Sequence, residues 1–186
     1  MNLRFLVLLL TVFLFSCVNS FNTQKMSQVK LGKRLDKSRV VYAINCGNKK
    51  PYTSTDGFTY QEDVRHFSGN TQVATYYDHP KVPSYGFRYT EDSEIHRIER
   101  WAQGNLAYNL PIYKPDKYVL ILKFSEVNFM GEGSRVFNIK LGKDYVKKGF
   151  DILRGGHTAE VNLYIPIELN EKKEIIYNGS VLKNAF

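Results

Sequence analysis

The sequence YVLILKF at residues 118–124 decides the fold class, together with VFNIKL at residues 136–141. The first stretch is almost continuously apolar, which is typical of a central strand buried on both faces. The second alternates apolar and polar residues, so we expect a strand with one buried face. The turn Gly131-Glu132-Gly133 lies between the two stretches and predicts that they pair like a hairpin.

Apolar runs of strand length recur on both sides of this pair and are bounded by turn residues. They cover residues 40–44, 58–60, 118–124, 134–141, 161–169 and 174–177. Residues 92–101 offer one possible helix, but the segment is short and polar on most sides, so we interpret it as a strand or an irregular segment. About seven short strands without a long helix predict an all-β chain and favour a β-sandwich over a parallel α/β fold.

The N-terminus has the layout of a cleaved signal peptide. Arg4 is the single charge in residues 1–20, an apolar stretch covers residues 5–15, and small or polar residues lead to a cleavage site at Ser20–Phe21. The apolar stretch is shorter than the roughly 20 residues that span a bilayer. An uncleaved anchor and a lipoprotein signal that ends at Cys17 are the alternatives.

Residues 21–38 are polar and basic without clear periodicity, and we interpret them as a flexible linker. Residues 39–186 are long enough for one domain with its own core. No later segment has the length and apolarity of a membrane helix, so we expect a mature chain without a transmembrane anchor. The signal peptide indicates the secretory pathway, either the lumen of the endoplasmic reticulum or secretion. We expect a monomer.

The chain carries a formal net charge of +8. Much of this charge lies in the linker and in the patch Lys143, Lys147 and Lys148. Such a charge indicates either an anionic partner or a solvated basic surface with a flexible N-terminal arm. We favour the second interpretation, and we expect no nucleic-acid partner, because no nucleic-acid motif accompanies the charge.

Once Cys17 leaves with the signal peptide, Cys46 is the remaining cysteine. An intramolecular disulfide and a cysteine metal cluster are therefore excluded. Cys46 follows the apolar run of residues 40–44, where a buried, inert thiol is expected. The histidines are scattered without the spacing of zinc ligands, and we expect neither metal nor cofactor. They are His66, His79, His96 and His157.

The sequence lacks common signatures of catalysis, since it contains neither a G-x-S-x-G elbow nor a P-loop. Glycoside hydrolysis needs only two carboxylates that are neighbours in space, so the order of residues does not exclude it. Candidate carboxylates are Asp56, Asp63, Glu126 and Asp151. We expect a protein that is not an enzyme, and a glycosidase is the alternative hypothesis.

Aromatic side chains make up 14% of the chain, and several stand beside turns. Sugars stack an apolar C–H face on aromatic planes, while amides and carboxylates bind their hydroxyls. Aromatics next to Asn or Asp in loops therefore indicate a carbohydrate site, although many aromatics pack in the core instead. Examples are Tyr76-Tyr77-Asp78, Ser84-Tyr85-Gly86, Arg100-Trp101 and Asn128-Phe129.

Several segments, in their order along the chain, resemble those of a malectin domain. VYAINCG at residues 41–47 is similar to the first strand and turn of that family, and DGFTY at residues 56–60 with Asp63 is similar to the segment that follows. The later similar blocks are Ser84-Tyr85-Gly86, Glu99-Arg100-Trp101, residues 108–112, 118–129 and 135–139, and Phe150-Asp151-Ile152. The resemblance extends from about residue 40 to residue 167.

The resemblance implies a jelly-roll-like β-sandwich, of the galactose-binding-like type, that binds carbohydrate without catalysis. Members in animals lie in the endoplasmic reticulum and bind glucosylated high-mannose N-glycans. The implied partner is therefore an oligosaccharide or the glycan of a glycoprotein. A structural or adhesive module that kept the fold and lost the sugar site is the alternative.

The resemblance also implies which residues contact the sugar. Tyr85 and Phe129 match two aromatic positions of the family, and Trp101 stands where the family has a second tyrosine. Asn128 stands where the family has a third tyrosine, so an amide that can bind a hydroxyl replaces a stacking plane. No residue matches the family's aspartate, because the chain ends at Phe186 before that block, and the C-terminal part is expected to be shortened or divergent.

Asn178-Gly179-Ser180 is a sequon for N-glycosylation. The glycine predicts an accessible turn, and the site is usable if the chain enters the secretory lumen.

Overall fold

The computed structural model describes residues 4–9, 36–55, 57–75, 93–126, 129, 131–154 and 161–182. The regular elements of these ranges are nearly all β-strands, which confirms the predicted all-β class. Short 3-10 helices, Lys37–Arg39 and Ser93–His96, precede the second and seventh strands. The strands are β1 (Arg4–Leu9), β2 (Val40–Asn45), β3 (Tyr52–Thr53), β4 (Thr59–Glu62), β5 (Phe67–Ser68), β6 (Gln72–Thr75), β7 (Ile98–Trp101), β8 (Ala107–Tyr108), β9 (Asp116–Phe124), β10 (Val136–Leu141), β11 (Asp144–Asp151), β12 (Val161–Leu169), β13 (Ile175–Tyr177) and β14 (Ser180–Val181).

One large sheet orders the described strands as β14-β13-β12-β9-β1-β2-β4-β3. β9 lies antiparallel to β12, whereas β1 runs parallel to both β9 and β2, and β2 runs parallel to β4. The other strands form antiparallel pairs, β10 with β11, β5 with β8 and β6 with β7. Neighbouring strands that run parallel need long connections. In this fold those connections carry residues of the candidate functional site.

β9 is buried on both faces, as its continuous apolar sequence predicts. One face packs on the β10–β11 pair, where the rings of Phe124, Phe137 and Phe150 have centroids 5.1–5.5 Å apart. The other face places Val119 and Ile121 in a second core cluster, which also contains side chains that flank or belong to β4. β9 is therefore the layer that separates two hydrophobic cores.

The alternation predicted for β10 is also confirmed. Phe137 and Ile139 are buried, whereas Lys140, the next residue towards the turn, is exposed. A two-residue turn, Gly142-Lys143, then leads directly into β11. The φ angle of Gly142 is 58°, a value that favours glycine at this position of a tight hairpin turn.

The predicted hairpin between residues 118–124 and 136–141 is wrong. β9 already has neighbours on both sides, β1 and β12, and β10 pairs with β11. The turn at residues 131–133 belongs instead to a loop that packs on the end of β11. There the N–H of Gly133 donates a hydrogen bond of 2.7 Å to the Oδ2 of Asp151.

The N-terminal strand β1 occupies the position between β2 and β9. Leu6 is opposite Tyr42 on one side and Leu120 on the other. Residues 4–9 of the segment that we predict as a signal peptide thus form a strand in the middle of the large sheet. The predicted cleavage site at Ser20–Phe21 and the linker as far as residue 35 lie outside the described residues.

The strand interpretation of residues 92–101 is confirmed for β7, Ile98–Trp101, whereas Ser93–His96 forms a 3-10 helix. In the ranges described above, no helix is long and apolar enough to cross a membrane.

Candidate functional site

A fully buried carboxylate, Asp63, ties four segments together. Its Oδ2 accepts hydrogen bonds from the Arg100 Nε at 2.6 Å, the Tyr108 hydroxyl at 2.8 Å and the Gly47 N–H at 2.9 Å. Its Oδ1 accepts a further bond of 2.8 Å from the Nη2 of Arg100. This two-pronged contact is the strongest geometry for an arginine with a carboxylate. It joins the turn after β2, the end of β4, and strands β7 and β8.

Gly47 is required in this network because its backbone approaches β7 closely. Its φ angle is 92°, in the left-handed region that side chains disfavour. A Cβ at this position would lie 3.0 Å from the backbone carbonyl carbon of Glu99. The N-C-G turn at residues 45–47 therefore has a structural role, as does Asp63.

Several groups around Asp63 have shifted pKa values. Cys46 is buried, as predicted, and its burial raises the pKa of the thiol well above the ordinary value. Burial also raises the pKa of Tyr108, and the electrostatic effects of Cys46 and Asp63 act in the same direction. For Arg100 burial acts downward, but the hydrogen bond and charge of Asp63 outweigh it, so the pKa of the guanidinium is raised.

A second buried network centres on Arg135, at the start of β10. Its Nε forms an ion pair of 3.0 Å with the Oε2 of Glu126, and its Nη1 donates a hydrogen bond of 3.3 Å to the Oε2 of Glu99. All three side chains are buried. An isolated charge is costly to bury, so the guanidinium and the two carboxylates stay together. Their contacts hold the loop after β9 against β7.

Phe129 is held by this second network. Its N–H donates a hydrogen bond of 3.0 Å to the Oε1 of Glu126, and its ring centroid lies 5.0 Å from the Cζ of Arg135. Cation–π attraction favours this placement of the guanidinium. The Phe129 side chain is half-buried, so part of the ring remains accessible.

Trp101 is connected to the same network through β7. Residues i and i+2 of a strand lie on one face, so Trp101 shares a face with Glu99, while Arg100 points to the opposite face and meets Asp63. Trp101 is half-buried. The chain Glu99–Arg135–Glu126 thus links the strand that carries Trp101 to the loop that carries Phe129. We call these two side chains the aromatic surface.

Two of the four predicted sugar contacts, Tyr85 and Asn128, lie outside the described residues. The same holds for Asp56 among the candidate carboxylates. Asp151 accepts hydrogen bonds from the backbone N–H groups of Gly133 and Leu153, at 2.7 and 3.0 Å. Asp63, Glu126 and Asp151 therefore each accept hydrogen bonds from neighbouring groups of the protein.

The described histidines lie apart from each other. His66 packs edge-on to Tyr42, with ring centroids 5.6 Å apart, and His96 is buried. His79 and His157 are outside the described ranges. Where side chains are described, no three His, Cys, Asp or Glu residues converge in a way that could hold a metal ion.

Arg135 is the residue of this site that the sequence interpretation missed. The buried positions of β10, Phe137 and Ile139, are spaced by two, and the same spacing extended backwards falls on Arg135. A charged residue on the buried face of a strand needs a partner of opposite charge. The alternation therefore contained a signal for a buried ion pair.

The sequon forms the turn between β13 and β14. Asn178 and Gly179 have φ angles of 49° and 76°, as expected for the two central residues of a type I′ hairpin turn. Both residues are exposed, which confirms the predicted accessible turn.

Together, the strands and the two networks define an all-β domain in which the Glu99–Arg135–Glu126 chain connects the strand of Trp101 with the loop of Phe129. A family model described as Malectin domain matches residues 40–185. The chain therefore belongs to the malectin domain family, and the resemblance drawn from its motifs is confirmed.

Individual relatives agree with this assignment. The chain is similar to Malectin-A of Xenopus laevis, with 30% identity over 136 residues, covering 73% of this chain and 48% of the relative. It is 30% identical over 135 residues to Malectin of Homo sapiens, covering 72% and 44%. For Malectin of Danio rerio the identity is 27% over 142 residues, covering 73% and 46%. The chain thus spans less than half the length of these relatives.

Proposed function

We propose that this chain binds carbohydrate without catalysis, through the aromatic surface formed by Trp101 and Phe129. The observation that carries the proposal is the Glu99–Arg135–Glu126 chain. It joins the strand that carries Trp101 to the loop that carries Phe129, and the family resemblance assigns both aromatic side chains to sugar binding. Rigid, half-exposed aromatic planes are the surfaces on which sugar rings stack.

Tyr85 and Asn128 complete the proposed site. In this proposal Tyr85 adds a third aromatic plane, and the amide of Asn128 binds a sugar hydroxyl. Membership of the malectin family supports an oligosaccharide ligand. The glucosylated N-glycan is the first ligand to test, since the resemblance implies it.

The surroundings of the carboxylates support the absence of catalysis. A glycosidase needs two carboxyl groups that face the same bond of a bound sugar. Asp63 is fully buried under Arg100 and Tyr108, and Glu126 is engaged by Arg135 and by the backbone of Phe129. A general acid or base must reach a substrate atom within hydrogen-bond distance, and these two buried carboxylates contact protein groups instead.

We further propose that the protein works as a monomer in the secretory pathway, in the endoplasmic reticulum or after secretion. The layout of residues 1–20 supports entry, and the exposed turn at Asn178 supports glycosylation in that compartment.

The fluorescence of Trp101 tests the sugar site directly, because it is the single tryptophan of the chain. Titration with glucose-, mannose- and galactose-containing oligosaccharides should change its emission in a saturable way for at least one sugar. Phe129→Ala should lower the affinity for that sugar about fivefold or more, which is equivalent to about 1 kcal/mol for one aromatic contact. Tyr113→Ala, at an exposed aromatic of another loop, is the matched control. A folded protein that binds no sugar on a glycan array would refute the proposal.

A further inference from the structure

The β10–β11 hairpin carries a group of cationic side chains on its solvent side. Its inner side packs Phe137 and Phe150 into the core, so its outer side faces water. Lys140 is exposed, and Tyr145, directly opposite it in the strand register, exposes 47% of its surface. Lys143, in the turn that connects the two strands, is exposed as well.

A β-bulge adds Lys148 to the same side. Ile139 is opposite Lys147 and Lys140 is opposite Tyr145, so β11 contains one extra residue, Val146, at this step. In a regular strand, residues 145 and 148 would lie on opposite faces. The extra residue restores the match and places Lys148 on the face of Tyr145.

Both ammonium groups meet on one aromatic ring. The Nζ of Lys140 is 4.4 Å from the ring centroid of Tyr145, and the Nζ of Lys148 is 4.5 Å from it. The two cations are therefore no more than about 9 Å apart, and the negative faces of the ring attract both. Among the described residues, no carboxylate pairs with either lysine. The charge of this pair thus remains available to a ligand.

We propose that Lys140, Lys143, Tyr145 and Lys148, here called the basic face, bind an acidic polysaccharide that carries sulfate or carboxylate groups. Neighbouring anionic groups along such a polymer suit two ammonium groups held at a short, fixed distance and a third in the adjacent turn. Lysine acts as a compact point charge, which suits separate anionic groups. The positive net charge of the chain draws a polyanion towards this face.

The same geometry disfavours nucleic acid as the partner. Proteins that bind single strands stack bases on open aromatic faces. The ring of Tyr145 is already covered by the ammonium groups of Lys140 and Lys148. The proposal is independent of the neutral-sugar site, because the basic face shares no residue with the aromatic surface.

Two variants with equal net charge test the basic face. One carries Lys140→Ala, Lys143→Ala and Lys148→Ala, and the other carries Lys114→Ala, Lys117→Ala and Lys172→Ala at exposed lysines elsewhere. Heparin is the probe, and its affinity is measured over a range of salt concentrations. The first variant should lose about tenfold or more in affinity at physiological salt and show a shallower salt dependence. The second should stay within about twofold of the unchanged chain.

Equal losses in the two variants would overturn the proposal, since net charge alone would then explain heparin binding. DNA that competes with heparin as well as dextran sulfate does would also overturn it. Preferential binding to vesicles of anionic lipid, dependent on the same lysines, would assign the face to a membrane and reject the polysaccharide. The titration of Trp101 with neutral oligosaccharides should be the same in both variants. If no neutral oligosaccharide changes the emission of Trp101, the proposed sugar site is refuted and the proposal for the basic face is unaffected.

Discussion

At the scale of single residues, the motifs that carried the family resemblance meet in one buried place. Gly47, Asp63, Arg100 and Tyr108 come from four different blocks of the sequence and meet at the carboxylate of Asp63. Asp63 receives hydrogen bonds from all the others, so each residue constrains the choice at the other positions. These motifs thus position β7, and β7 in turn carries Trp101.

This arrangement predicts a loss of stability at alkaline pH. Burial keeps the thiol of Cys46 protonated in the folded state, while in the unfolded chain it ionises near its ordinary pKa of 9.0. Above that pH the folded state binds more protons than the unfolded state, so the free energy of unfolding falls as pH rises. The contribution is complete below about pH 8 and declines by about 1.4 kcal/mol from pH 8 to pH 10.

Urea unfolding at pH 8 and pH 10 measures this effect. Cys46→Ala should flatten the difference by about the amount attributed to the thiol, whatever its effect at pH 8. All other ionisable groups are the same in the two proteins, so their contributions cancel in the comparison. Parallel pH curves for the two proteins would contradict the prediction.

At the scale of elements, the loop after β9 depends on Arg135. Arg135→Met should leave the carboxylates of Glu99 and Glu126 buried without their cation, and so displace Phe129. We expect sugar affinity to fall about tenfold in protein that is still folded at the assay temperature. Glu126→Gln keeps an acceptor for the N–H of Phe129 and should lose less.

The matched control for Arg135→Met is Leu169→Ala. It removes a buried side chain opposite Asp116, at the end of β9 away from the loop that carries Phe129, and should cost about 2–5 kcal/mol of stability. The folded fraction of this control should keep its affinity for sugar. If both variants lose affinity only in proportion to their unfolded fractions, Arg135 has a structural role alone.

Local sequence patterns predicted the strands whose periodicity is regular. β9, β10 and β12 lie where the apolar runs place them, because burial on two faces or one face leaves a pattern within the strand itself. β11 was missed because Lys147, Lys148 and Gly149 interrupt its alternation. The bulges opposite β10 explain that interruption, and Gly149 has a φ angle of 57°.

Pairing between strands was not predictable from the same patterns. The hairpin assigned to β9 and β10 failed because nothing within β9 records that its neighbours are β1 and β12. For the site, the resemblance supplied Trp101 and Phe129. The periodicity of β10 indicates that Arg135 is buried, but it does not indicate that Glu126 is its partner. Contacts between distant segments depend on the whole fold and leave little trace in any one of them.

At the scale of the whole molecule, β1 completes the large sheet. Removal of residues 1–20, as the predicted signal peptidase cleavage would do, exposes the backbone edges of β2 and β9. Unpaired strand edges destabilise a sheet and promote self-association. The chain of residues 21–186 should therefore unfold at a lower urea concentration than the chain of residues 1–186.

Val7→Pro in the uncleaved chain is the matched variant for this comparison. Proline removes a ladder hydrogen bond in a central strand, and Val7 is opposite both Ala43 and Ile121. This variant should shift the urea midpoint in the same direction as the truncation, whereas Val7→Ile should not. Equal midpoints for the two chain lengths would show that β1 adds nothing to the stability of the sheet.

The position of β1 also bears on how fast the protein folds. Phe5, among the first residues to leave the ribosome, is opposite Val119, which is made more than one hundred residues later. Pairing over such a separation closes a large loop before it gains any contact, and folding rates fall as the mean separation of contacts rises. β1 therefore cannot complete its pairing until β9 has been made, although it is the first strand of the sheet to be synthesised. Until β9 emerges, one edge of β1 stays unpaired, so the order of synthesis gives other cellular factors the first opportunity to bind the apolar N-terminus.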